Sequence, residues 1–228
     1  NTFDLVTETS NRVFSSDFAS MAWSPVGTRF AVAATFDPAT GTAGGPLQLL
    51  VHDPHANSLV TASHLLFGTE ELRGDLFAWS PDGSKLAYVT RVGFDDERTW
   101  QVVPDGNQLV VRAADVKGQE VVSLRWSPDG ARLALLERDQ TQAFHPGEWH
   151  LIGADGRSAF RSGSFFTFAT SQQLMWSTDS VRAVYAVAAA AAGPDRVRSV
   201  QADGKNDVEV AALDVGTFAY ASGSLPKP

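Results

Sequence analysis

One phrase, written four times, constrains this chain more than any other feature: MAWSPVGTRFAVA from Met21, FAWSPDGSKLAYV from Phe77, LRWSPDGARLALL from Leu124 and LMWSTDSVRAVYA from Met175. Its tryptophans, Trp23, Trp79, Trp126 and Trp176, stand 56, 47 and 50 residues apart. A second landmark keeps its distance from the first. Trp100 leads to Asp105-Gly106, Trp149 to Asp155-Gly156, Val197 to Asp203-Gly204, and Leu47 to Asp53-Pro54. Repeated units of this length fold by stacking on one another, because one unit alone cannot bury its apolar surface.

Each unit parses into four short strands. In the second copy these are 76–80, 85–90, 100–103 and 108–113, rich in Val, Leu and aromatics and divided by Gly, Pro and Asp. No apolar stripe survives over three helical turns, which argues against helix. The alanine run 188–192 has high helix propensity and is read as a strand end or loop. Four antiparallel strands recurring every 40–50 residues or so mark a β-propeller blade. Leu86–Val89 and Leu133–Leu136 are apolar throughout, as a strand covered on both faces requires. The repeats run over about 20–75, 76–122, 123–172 and 173–216, in a single domain of 1–228. Segments 1–16 and 217–228 are read as parts of a further blade.

The turns have local reasons. Pro81 and Pro128 preset the φ of a tight turn, and Asp82-Gly83 and Asp129-Gly130 follow, with Gly supplying positive φ. The first copy keeps Pro25 and Gly27 but has Val26 at the Asp position. The last has Thr178-Asp179-Ser180, without Pro or Gly, and its turn is expected to be the least rigid.

The phrase W-S-P-D-G-x-x-L-A, followed by a strand running into Asp-Gly, resembles the WD40-like (PD40) repeat of TolB-like propellers over essentially the whole chain. True WD40 blades fit less well, since there is no Gly-His opening and no third strand ending in Trp-Asp. The resemblance implies an all-β propeller of four-stranded antiparallel blades in an extracytoplasmic bacterial setting, periplasmic or at the cell surface. Two ring architectures stay open: a small closed ring with a split fifth blade, or a window from a larger propeller.

With 18 Lys and Arg against 26 Asp and Glu the net charge is −8, which disfavours nucleic acid as a partner. The absence of cysteine excludes thiol chemistry and disulfides. The longest apolar run, Ala183 to Ala192, has ten residues, short of the roughly 20 that span a bilayer, so direct membrane insertion is not expected. No basic segment precedes an apolar one at Asn1, and the chain does not begin with Met, as expected of a mature or excised piece.

The repeated tryptophans are read as wedges between blades, each N–H finding a partner, and not as a ligand platform. Trp100 and Trp149 are expected to be buried in third strands. The Asp-Gly pairs lack the spacing of a calcium loop. His52-Asp-Pro-His55 is read as a solvated turn and not as a metal site. No metal or cofactor is expected. Arg161-Ser-Gly-Ser and Ala221-Ser-Gly-Ser do not match a nucleophile elbow, and phosphate- and dinucleotide-binding glycine motifs are missing, so no enzymatic activity is expected of this chain.

Binding residues are expected on the face where the second-to-third-strand loops and the interblade connections emerge together. There, Glu70, Glu71, Asp95, Asp96 and Glu97 mix with Arg73, Arg91 and Arg98, Arg138 stands on a further loop, and Phe94 and Phe144 offer apolar anchors. That mixture suits a protein or peptide partner. The leading expectation is a non-catalytic binding scaffold. The alternatives are the substrate-gating propeller of a larger prolyl-oligopeptidase-type serine peptidase and, third, a carbohydrate-binding propeller.

Overall fold

The computed structural model describes residues 2–4, 9–11, 18–37, 42–56, 58–63, 70–93, 96–103, 108–117, 119–139, 141, 147–153, 156–163, 174–187 and 195–213. An antiparallel hairpin of β1 (Thr2–Asp4) and β2 (Thr9–Asn11) comes first. Blade 1 is β3 (Phe18–Trp23), β4 (Phe30–Asp37), β5 (Thr42–Asp53) and β6 (Ser58–Thr61). Blade 2 is β7 (Glu70–Trp79), β8 (Leu86–Val92), β9 (Asp96–Val103) and β10 (Gln108–Lys117). Blade 3 is β11 (Gln119–Trp126), β12 (Arg132–Asp139), β13 (Gly147–Gly153) and β14 (Ser158–Arg161). Blade 4 is β15 (Leu174–Trp176), β16 (Arg182–Val187), β17 (Asp195–Gln201) and β18 (Val208–Leu213). Each blade is an antiparallel meander in chain order, and one parallel bridge, Gln119 to Asp96, links blades 2 and 3. The all-β propeller architecture is as the repeat predicts.

The first strands of blades 2 and 3 are longer than the strand over 76–80 read from the sequence: β7 starts at Glu70 and β11 at Gln119. The extra length pairs at Glu70 to Leu72, and the register shifts before Phe77. Such a bulge lets a strand continue through a polar stretch that reads as a connection. Segment 217–228 and the alanine run lie outside the described residues.

Side-chain period explains the lost alternation. Leu86 and Tyr88 face blade 1, packing with Ala31, Ala33, Leu49 and Val51. Ala87, between them, faces blade 3 and meets Leu133, Leu135 and Ile152. Ala134, Leu136, Trp149 and Leu151 then face Leu174, Ala183, Tyr185 and Val200 of blade 4. Successive residues of a strand point to opposite faces, so a strand between two seams must be apolar at every position.

The tryptophans tie the seams together. The Trp79 indole N–H donates to the Ala22 carbonyl at 3.1 Å, Trp126 to Ala78 at 3.0 Å and Trp176 to Arg125 at 3.4 Å. Each acceptor is the residue just before the tryptophan of the preceding blade. The Arg29 guanidinium lies over the Trp79 ring and the Lys85 ammonium over Trp126, at 5.7 and 5.9 Å from the ring centroids. Trp23 departs from the expected wedge. It is 59% exposed, because no described blade stands ahead of it.

The turns interlock as well. In blade 2 the Ser80 hydroxyl donates to Asp82 at 2.6 Å and accepts from the Lys85 N–H at 2.9 Å. Ser127 with Asp129 and Ser177 with Asp179 repeat the contact at 2.6 Å. In blade 1 Val26 replaces the aspartate, and the buried Ser24 Oγ has no partner among the described residues. The last copy keeps the turn without Pro or Gly. Ser180 adopts a φ of 60°, and its hydroxyl accepts from the Asp129 N–H at 2.9 Å, so a bond across the seam holds the conformation.

Gly83 combines positive φ with a tight approach, since a Cβ there would lie 2.5 Å from Ser24 Oγ and 2.6 Å from Val26 Cγ2. At Gly27 a Cβ would meet nothing within 4 Å. Urea unfolding should therefore separate the two: Gly27→Ala costs about 1–2 kcal/mol from the left-handed backbone alone, and Gly83→Ala costs about 3 kcal/mol or more by adding overpacking. Equal losses would refute the interlocked turns.

The Ser80 hydroxyl first, then the Ser84 hydroxyl and N–H, hold the Asp82 carboxyl at about 2, below its ordinary 3.8. A depressed folded value gives stability that is full above the unfolded value and lost as pH falls through the folded one. Thermal melts of Asp82→Ala should lie below those of the native chain at pH 7, with the gap closing between about pH 4 and about pH 2.

Candidate functional site

At the end of the sheet where β7 begins and β8 turns into β9, the structure gathers charge at the border of blades 2 and 3. Glu97 is the centre, its side chain only 2% exposed. One oxygen accepts from Arg91 Nη2 at 2.7 Å and Nε at 3.0 Å and also from Arg73 Nη1. The other accepts from the Val121 N–H of blade 3 at 2.6 Å. Glu120 stands beside it, 3.4 Å from Arg138, 3.7 Å from Arg73 and 4.0 Å from Arg91. Burial opposes the Arg73 charge, but Asp75 and Glu97 outweigh it and hold the guanidinium above its ordinary value.

The structure therefore brings Arg73, Arg91 and Arg138 together, on strands and not on loops. Glu71 lies opposite Arg91, Arg91 opposite Glu97, and Glu120 opposite Arg138. Opposite charges facing each other across a ladder stabilise it, so polar strand ends that read as loops pair as sheet. Glu70 accepts from the Thr90 hydroxyl at 2.6 Å, also within blade 2. Arg98 stands on β9, with its backbone opposite Thr90. Asp96 opens β9, its side chain outside the described residues together with Phe94, Asp95 and Phe144. Sequence reasoning missed Glu120. Its signal was the opposite-charge pairing with Arg138, legible only once the register of β11 on β12 is known.

A second cluster joins the strands of blade 3. His150 Nε2 lies 2.9 Å from Ser158 Oγ, and Nδ1 lies 3.2 Å from Glu137 and 3.1 Å from Arg161 Nη2. The order hydroxyl, imidazole, carboxylate invites comparison with a nucleophile and its base. Arg161, however, also binds Glu137 and Glu148, both at 2.9 Å. Nδ1 faces both the Glu137 carboxylate, which could take its proton, and the Arg161 guanidinium, which could donate to it, so neither contact by itself sets the ring tautomer. The cluster ties β12, β13 and β14 together through side-chain hydrogen bonds.

Two other expectations meet the structure here. Trp149 is fully buried, as expected, whereas of Trp100 only the backbone in β9 is described. His52 is not part of a solvated turn. It stands within β5, buried, its Nδ1 2.8 Å from the Ser58 carbonyl and its ring edge-on to Phe30. Among the described residues no group of three or more His, Asp or Glu is placed to hold a metal ion.

Among solved structures, the acylaminoacyl peptidase of Pyrococcus horikoshii aligns over 86% of this chain and 33% of its own, at 11% identity and a TM-score of 0.58. The β-propeller domain of the Trilobed protease from Pyrococcus furiosus, described as having an open velcro topology, aligns over 87% and 57%, at 13% identity and a TM-score of 0.55. An oligogalacturonate lyase in complex with manganese aligns over 96% and 60%, at 15% identity and a TM-score of 0.52. At such identities the likeness establishes the propeller fold alone. The chain spans 33% to 60% of the length of these three structures. No protein-family model and no curated protein matches the chain.

Removing one partner of a buried ion pair leaves charge uncompensated and typically costs about 3–5 kcal/mol. Glu97→Ala should lie near the lower end, about 3 kcal/mol in urea unfolding, because Arg73 and Arg91 keep access to water. A loss below about 1 kcal/mol, the value of an exposed pair, would show that the cluster does not join the blades.

Proposed function

We propose that this chain is a non-catalytic propeller scaffold that binds a polypeptide partner on the face carrying Arg73, Arg91 and Arg138, outside the cytoplasm. The observation that carries the reading is the division of labour in the cluster. Glu97 is buried and fully engaged, while Arg91 and Arg138 keep 32% and 29% of their side chains open to solvent. Among the described residues Arg138 is ion-paired through Nη2 with Glu120, and its Nε is buried. The part of the guanidinium that stays open to solvent offers donors to a carboxylate or a backbone carbonyl of a partner.

Arg138 is the residue to test, because Arg73 and Arg91 also stabilise the fold. Probed against an array of acidic and neutral peptides at two salt concentrations, the native chain should favour acidic ones. Arg138→Ala should weaken capture about tenfold, equivalent to one charge-assisted hydrogen bond, with the urea midpoint little changed. Capture that ignores this substitution would move the binding surface elsewhere.

A second reading draws on the likeness to a peptidase and to the propeller domain of a protease. There the chain would be the propeller of a larger serine peptidase. A neighbouring hydrolase domain in the coding sequence, labelled by a fluorophosphonate in the full-length protein, would favour it over the scaffold.

A further inference from the structure

Arg73, Arg91 and Arg138 face two glutamates, and the two are held differently. Glu97 is almost wholly buried and accepts at hydrogen-bond length, from Arg91 at 2.7 and 3.0 Å and from the Val121 N–H at 2.6 Å. Glu120 is 21% exposed and stands near all three guanidinium groups without closing on any. Its Oε2 lies 3.4 Å from Arg138, and its Oε1 lies 3.7 Å from Arg73 and 4.0 Å from Arg91. Charge-assisted hydrogen bonds between such groups run at about 2.7–2.9 Å. One carboxylate is bound, and the other is only lodged.

The distribution of charge points the same way. Among the described residues, the acids ion-paired with these arginines are Asp75, Glu97 and Glu120. Asp75 lies 3.2 Å from Arg73, and Glu97 joins Arg73 and Arg91. Glu120 alone of the three neutralises Arg138. If its side chain withdraws, Arg138 keeps no ion-pair partner among the described residues.

We propose that Glu120 is an internal stand-in for an acidic side chain of the partner. At rest it fills the space among the three guanidinium groups, and on binding the partner's carboxylate takes its place. The inference rests on the polypeptide-binding reading of this face. The backbone of Glu120 is paired with Arg138 in the ladder of β11 and β12, so the exchange needs only side-chain rotation. Ion pairs this long and near the surface contribute little, so leaving them costs little. Glu97 is not free to exchange, because its departure would strand the Val121 N–H and two arginine charges. The exchange also discriminates. A neutral peptide that displaced Glu120 would leave Arg138 unpaired, whereas an acidic one restores the pair.

Glu120→Gln tests this, because it keeps the shape and removes the charge. Fluorescence anisotropy with a labelled oligoglutamate peptide should give a Kd about tenfold tighter than native, as for a site open in about one native molecule in ten. A glutamine peptide of the same length should gain nothing. In the double variant with Arg138→Ala the gain should vanish, since side chains acting at one site are not additive. Should glutamine lower the urea midpoint, Glu120→Thr, suited to a strand, gives the same readout. Tighter binding that is lost with Arg138 supports the proposal. Equal or weaker binding by Glu120→Gln, with Arg138→Ala still weakening the native chain, overturns it and leaves the scaffold reading standing. A gain that survives Arg138→Ala also overturns it, as an effect of net charge alone. If neither the native chain nor Glu120→Gln binds the acidic peptide, both readings fall.

Discussion

The contact on which this structure depends is one indole N–H reaching one carbonyl across a seam. At each of the three seams the acceptor is the residue before the preceding tryptophan. The ring fills the wedge and the polar edge fixes its register, so packing and hydrogen bonding specify the same arrangement. The turns add a second constraint. A Cβ on Gly83 would strike the turn of blade 1, and Ser180 bonds the turn of blade 3. Rotation of one blade against the next would break both at once.

Charge does at one end of the strands what tryptophan does at the other. Glu97 belongs to blade 2 yet accepts from the backbone of Val121 in blade 3, while Arg73 and Arg91 neutralise it. A carboxylate this buried is tolerable only when hydrogen-bonded and paired. The arginines that neutralise it stay partly exposed, Arg73 at 18% and Arg91 at 32%. The surface proposed to bind a partner is thus held in place by the ion cluster that joins the blades.

Much of the fold was legible because its signals are local. Pro81, Asp82 and Gly83 act within one turn, and the apolar runs Leu86–Val89 and Leu133–Leu136 announce burial on both faces. The candidate site was legible in part. Arg73, Arg91, Arg98 and Arg138 were all candidates, but which of them meet at Glu97 and Glu120 was not legible. Whether a polar stretch is a loop or a strand end is decided by what lies opposite, and Glu120 becomes visible only through its pairing with Arg138. His52 misled for the same reason, since the Asp-Pro after it reads as a turn while its ring is buried against Phe30.

The sequence by itself determined the unit: four strands, a Ser-Pro-Asp-Gly turn, one tryptophan, and the number of copies. These follow from residue period and turn chemistry, which neighbours along the chain settle. Only the tertiary structure decided what each copy of the same letter does. Trp23 and Trp79 occupy the same place in the repeat, yet one is 59% exposed and the other 8%. The physical reason is that burial belongs to the seam and not to the residue, and a seam exists only where a second blade stands.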